Sequence, residues 1–328
     1  MRIAPLTRMI NGACPQYEEA FAEIATGFTQ LITDTRRPFP HHHWIKLYDH
    51  IFKICSNPHE PRPHDLYKDI KALLTRHCRN VLSNLQRLHA ASLLRAYMEA
   101  HESFFTGMQY ISQIAAYLSR WWVKRQLAFG DGEGGVFSLE LLPYVLWQDE
   151  LLLHLHPALF EAIMGLVNER RTVERAPAAD TTTEYGLLRD VVGTFRTLDS
   201  RVAPSLQTEQ LVELPGTPAD QLEARWSRRA YATFEKRFLQ QTLSYYTVVG
   251  QRLVSEEGVC EYMTAAERLL KGELERAKQW LPAPTLAKCC DCCFRALVQM
   301  HIDTLTGCLP NLFRRDWSAP GRGRLSGS

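Results

Sequence analysis

The sequence predicts an all-α protein. Three observations carry that reading. Leu, Ala, Glu and Arg dominate the stretches between breakers, and all four are good helix formers. Apolar residues recur at three- and four-residue spacing in one segment after another, which gathers them on one face of a helix. Alternating runs of β-branched residues, the signature of strands, are absent.

The first helix is expected over Tyr17 to Thr33, where Tyr17, Phe21, Ile24, Phe28 and Leu31 share a face. The prolines of Thr35–Pro40 end it, because each disfavours helix at the residue before. His43 to Cys55 follows with two stripes: Leu47, Ile51 and Ile54 on one side, and Trp44, Tyr48 and Phe52 about 100° further round. Asn57–Pro63 reads as a loop. A long helix is expected from His64 to His89, with Leu66, Ile70, Leu73, Leu74 and Val81 inward, and a shorter one from Ala91 to Glu102.

Phe104 to Gln126 organises the rest. Phe104, Met108, Ile111, Ala115, Leu118 and Trp122 form one stripe, and Tyr110, Ile114, Tyr117 and Trp121 a second, about 100° away. A helix that lines a core needs one stripe. Two stripes let it pack inward on one and offer the other to a neighbour, either a helix of the same chain or a partner protein.

The glycines of Gly130–Gly135 mark a boundary. Helical pattern resumes over Phe137 to Arg171, bent or interrupted near Pro143 and Pro157. Thr172 to Thr183 and Asp199 to Pro218 read as polar connectors flanking a short helix, Tyr185 to Leu198. Long amphipathic helices are expected over Leu222 to Leu253, Gly258 to Leu281 and Thr285 to Leu305. Beyond Gly307 the composition is that of a disordered tail carrying Arg314, Arg315, Arg322 and Arg324.

Charge and composition narrow the function classes. A net charge of +2 argues against a dedicated nucleic-acid binder. No run approaches the roughly 18 apolar residues of a membrane span, and the N-terminus lacks the apolar core of a secretion signal. The nine cysteines are then expected reduced, in cytoplasm or nucleus. No nucleophile–base arrangement stands out, and no cofactor is expected. Cys289-Cys-Asp-Cys-Cys293 holds two overlapping C-x-x-C spacings, but one five-residue cluster cannot surround a zinc ion unaided. His301 and Cys308 are conceivable extra ligands. His41-His-His43 reads as a solvated loop, and Gly130–Gly135 lacks the Gly-Lys-Ser/Thr of a phosphate loop.

Three stretches, in this order, resemble the N-terminal region of cullins. They are Tyr117-Leu-Ser-Arg-Trp-Trp-Val-Lys-Arg125; Phe234-Glu-Lys-Arg-Phe-Leu-Gln-Gln-Thr242 with Tyr245-Tyr246; and Glu261-Tyr-Met-Thr-Ala-Ala-Glu-Arg-Leu-Leu-Lys271 continuing to Trp280-Leu281. Weaker similarity covers Trp147 to Arg171.

The resemblance implies an elongated stalk of cullin repeats, long-helix bundles stacked end to end. It places a first repeat at 14–128, a second at 136–255, a partial third at 258–306 and the basic tail at 307–328. It also implies a non-catalytic scaffold of a ubiquitin ligase, gripping an adaptor of BTB/POZ-like fold that carries a substrate receptor. Trp44, Ile45, Tyr48, Phe52 and Tyr117 match family contact positions, and Tyr110, Ile114 and Trp121 extend the expected adaptor-binding face. Asn57–Lys71 looks most like cullins that use the Elongin B/C pair; the Skp adaptor with an F-box protein is the alternative. Nothing after Leu305 resembles the RING-binding region of a full cullin, so the polypeptide is expected to hold adaptor and receptor without recruiting the RING subunit. Two rivals remain open at this level: a helical-rod tethering protein, and a thiol- or zinc-dependent activity at Cys289–Cys293.

Overall fold

The computed structural model describes residues 15–35, 38–129, 136–172, 178–208, 229–256, 258–303 and 306. All regular structure among them is helical. Contacts group the chain into two compact units, one drawn from 1–166 and 193–230, the other from 167–192 and 231–328. The predicted tail, 307–328, and the glycine run lie outside the described residues.

In the first unit, α1 (Pro15–Thr33) buries Ile24, Phe28, Leu31 and Ile32. After Pro40, α2 (His41–Ser56) buries Leu47, Ile51 and Ile54, the stripe expected to face inward. The three histidines expected in a loop instead form its first turn, exposed. Leu47 packs directly on Gly27 of α1; a Cβ there would sit 2.6 Å from Leu47 Cδ1.

Helix α3 (Pro63–Leu85) starts with Pro63, whose missing N–H costs nothing in a first turn. It ends at Leu85, short of the expected His89. Helix α4 (Ala90–Ile114) runs unbroken through residues 102–104, where a division was expected. It crosses α1 at Gly107, where a Cβ would lie 2.4 Å from the Leu31 carbonyl oxygen and 2.7 Å from Ile32 Cα. Only glycine admits that approach.

The organising stretch is not one regular helix. The backbone leaves helical geometry at Ala115 (φ −88°, ψ 19°). A single turn, α5 (Ala116–Leu118), leads into a π-helical turn, Ser119–Val123, and then α6 (Lys124–Phe129). A π turn holds more residues than an α turn, so the buried stripe steps five residues, from Leu118 to Val123, instead of four. Trp122, assigned to the inner stripe, is half-buried against His64 and Tyr67.

Residues 136–141 precede the next helix rather than opening it. Helix α7 (Leu142–Leu146) has Pro143 in its first turn, so this proline starts a helix where a bend was expected. A π turn, Trp147–Leu152, continues into α8 (Leu153–Thr172), with Pro157 inside. Leu142–Thr172 contains an 18-residue stretch of mean hydropathy 1.4, long and apolar enough to cross a bilayer by length and composition. This departs from the expectation that no run comes close. In the fold 56% of that stretch is buried, and a helix apolar on most sides is what a core demands as well. Trp147, Tyr97, Phe104 and Phe195 form the aromatic centre of the unit. Residues 136–166 pack here, with the helices that precede the glycine run: Tyr67 Oη accepts a hydrogen bond from the Phe137 N–H (2.8 Å).

Helix α9 (Ala178–Thr208) is 31 residues long, against a predicted short helix at Tyr185–Leu198. The flanking polar stretches, read as connectors, supply its outer turns. Polar residues resist helix only weakly once a neighbouring segment has nucleated it, and Val202 is buried.

The second unit adds α10 (Ala230–Glu256), α11 (Val259–Ala277) and α12 (Ala283–Leu297). The last was expected to reach Leu305, but Val298 (φ −123°, ψ −60°) breaks it before a 3-10 turn, Gln299–His301. Two of the sequence motifs are explained here as packing. Phe234 and Phe238 are fully buried against Trp280, and Tyr262 donates from its hydroxyl to the Leu297 carbonyl.

Thr242, Tyr246 and Glu273 close on Arg171. Its guanidinium donates to Glu273 Oε1 (3.1 Å from Nε), Thr242 Oγ1 (2.9 Å) and Asn168 Oδ1 (3.0 Å). Tyr246 Oη donates to Glu273 Oε2 (2.9 Å). Burial alone would raise the Glu273 pKa, but Arg171 and Arg276 outweigh it and hold the carboxylate below the ordinary range.

Candidate functional site

In the first unit, α2 and the α4–α6 stretch leave large apolar side chains in solvent. Ile45 is 52% exposed, Phe52 41%, Tyr110 46% and Trp121 67%. Tyr48 is exposed, and Trp44 and Tyr117 are half-buried. Ile114 is not part of this face: it is fully buried. It lies inside α4, on the buried side that Gly107, Met108 and Ile111 mark at three- and four-residue spacing.

The rings on the two elements meet. Phe52 of α2 and Tyr117 of α5 stand edge to face with centroids 4.8 Å apart. Tyr117 continues to Trp121 at 6.2 Å, and along α2 Trp44 stacks on Tyr48 at 6.2 Å. Seven of the eight residues expected from the sequence therefore remain accessible, and Phe52, Tyr117 and Trp121 form one continuous aromatic run.

Each element is held from behind. Leu47, Ile51 and Ile54 seat α2 on the core. Lys46 Nζ lies 2.7 Å from Glu23 Oε2 of α1, and His50 Nε2 lies 2.8 Å from the same oxygen. Those hydrogen bonds, from Lys46 first and then His50, keep the Glu23 carboxyl below its usual range. On the other element, the π turn puts the adjacent Trp121 and Trp122 to different uses, the first in solvent and the second against His64 and Tyr67. Sequence periodicity has no signal for that turn.

Such a face offers apolar area, rigid rings and a few phenolic hydroxyls. Its chemistry suits docking of another protein, since aromatic anchors on rigid elements are where interface energy concentrates.

Other candidates gather less. Cys289 and Cys293 are buried, and Cys290 and Cys292 half-buried. The hydrogen bond to Cys289, followed by burial, pushes the Cys293 thiol well up, away from the thiolate that reactivity and metal binding require. Among the described residues no group of three or more His, Cys, Asp or Glu is placed to hold a metal ion; Cys308 lies outside them. A cavity of about 500 Å³ opens between α1 and the end of α2, where Glu23 pairs with His50 and Glu60 with Arg62.

Comparison with known families now decides the fold's kinship. The cullin alpha solenoid domain matches residues 16–318. The chain belongs to the cullin family. It is 24% identical over 316 residues to Cullin-1 of Dictyostelium discoideum, covering 91% of this chain and 38% of that protein. Cullin-2 of Caenorhabditis elegans is 22% identical over 307 residues, 88% of this chain and 36% of the relative. Cullin-like protein 3 of Arabidopsis thaliana is 21% identical over 278 residues, 83% of this chain and 92% of the relative. The chain thus spans little more than a third of the first two cullins it matches.

Proposed function

We propose that this cullin-family chain is a non-catalytic scaffold segment of a ubiquitin ligase. In this reading it docks an adaptor of BTB/POZ-like fold, with its substrate receptor, on the aromatic face of α2 and α4–α6. The observation that carries the reading is the exposed meeting of Phe52 and Tyr117 at 4.8 Å, which joins two helices into one surface in a member of this family. Elongin B/C is the first adaptor to test and the Skp adaptor with an F-box protein the second. The division into repeats at 14–128, 136–255 and 258–306 and a cytoplasmic and nuclear location belong to the same proposal. It assigns RING recruitment to none of the described residues.

The test is Tyr48→Ala combined with Tyr117→Ala. A hot-spot truncation costs about 2 kcal/mol, roughly 30-fold in affinity. The double variant should lose adaptor in a pull-down while far-UV circular dichroism stays that of the parent. Undiminished capture by a folded double variant sinks the proposal.

A further inference from the structure

The aromatic face has an electrically lopsided rim. Every charged side chain of α2 beside it is matched. Lys46 and His50 meet Glu23, and Lys53 meets Asp49 at 2.6 Å. On the other element the situation is different. From Ser103 to Gly130 the sequence contains no Asp or Glu, while Arg120, Lys124 and Arg125 all fall in this stretch. The three are exposed and make no ion pair among the described residues. Chain position puts them beside the aromatic run: Arg120 precedes Trp121 in the same π turn, and Lys124 and Arg125 open α6 directly after it.

Among the described residues no carboxylate forms an ion pair with this end. The Tyr17 hydroxyl of α1 engages Asp69 of α3 at 2.8 Å, and Asp65 acts on the same tyrosine. Asp69 is thus engaged with α1.

We infer that the partner docking on this face meets the α5–α6 end with a cluster of carboxylates, and that Arg120, Lys124 and Arg125 steer its approach. The inference rests on the docking reading above and specifies the partner's chemistry: an apolar insert for the rings, bordered on one side by acid. The same end repels partners with a basic border, so the rim selects as well as attracts. Rim charges act mainly on the rate of encounter and on its salt dependence, and little on the dissociation of a complex whose anchor is apolar. Steering of this kind raises association rates by about 10-fold or more. It fades as the screening length shrinks from ~10 Å near 0.1 M salt to ~3 Å near 1 M.

The experiment measures association of the full 328-residue chain with Elongin B/C–receptor and with Skp–F-box complexes, at about 50 mM and about 500 mM NaCl. The parent is compared with R120E/K124E/R125E and with the neutral R120Q/K124Q/R125Q. For the probe that the parent binds, the reversed variant should associate on the order of 10-fold more slowly at low salt, and the neutral variant should fall between. The differences should shrink to within about threefold at high salt, with dissociation rates unchanged. All three side chains are exposed, so circular dichroism and thermal midpoint should match the parent. Parent-like association of the folded reversed variant at low salt, or a parent rate indifferent to salt, overturns the inference while leaving docking intact. A parent that binds neither probe overturns the docking reading and the rim assignment together.

Discussion

Removing Glu273 should be among the most damaging single changes in the second unit. Its side chain is 3% exposed and that of Arg171 1%. The carboxylate accepts from Arg171, Arg276 and Tyr246. Glu273→Ala strands a guanidinium that retains only Thr242, Asn168 and the faces of Tyr245 and Tyr246, whose ring centroids are 4.9 and 5.4 Å away. Breaking a buried pair from one side costs about 3–5 kcal/mol, because the remaining charge is desolvated and uncompensated. Replacing both members with apolar residues of similar volume removes that penalty, so Arg171→Met with Glu273→Leu should be more stable than Glu273→Ala alone. Urea denaturation followed by circular dichroism, with the denaturation slope checked for constancy, measures both. A loss under about 1 kcal/mol for Glu273→Ala, or a double variant weaker than the single, would refute the reasoning.

Acid should weaken the first unit through two histidines. Burial pushes His77 and His101 down to about 4. Both are neutral when folded and protonate more readily when unfolded. Their contribution is therefore complete above the ordinary histidine pKa and is lost as pH falls from about 6.5 towards 4. Between pH 7 and 5 each should account for about 2 kcal/mol and the two together for roughly 3–4, and His77→Phe with His101→Phe should flatten the dependence of the urea midpoint on pH; equal slopes in parent and variant would contradict this. At the α1–α4 crossing, Gly107→Ala gains about 1 kcal/mol of helix propensity but drives a methyl group to 2.4 Å from a backbone oxygen. Neither backbone can yield cheaply, so a net loss of roughly 1–3 kcal/mol is expected, and a thermal midpoint at or above the parent's would show that the crossing relaxes.

Several parts of this protein were legible in its residues. Helical class follows from periodicity, and the inward faces of α1 and α2 follow from single stripes such as Leu47, Ile51 and Ile54. The outward aromatic stripe was legible for the same reason: a residue's azimuth on a regular helix depends only on its number. Other features needed the tertiary structure. No local residue announces the break at Ala115 or the two π turns, because the phase shift from Leu118 to Val123 is set by what each side chain meets across the core. That shift is absent from any count of fours and threes, whereas Ile114, three residues beyond Ile111 in regular α4, lies within such a count and borders the buried side. The extent of α9 was hidden too, since polar stretches look alike in sequence whether helical or not. The meeting of Phe52 with Tyr117 joins residues 65 positions apart (117 − 52). Only the packing of α2 and α5 in one unit decides such contacts, because a stripe specifies a direction on one helix and says nothing of which helix lies opposite.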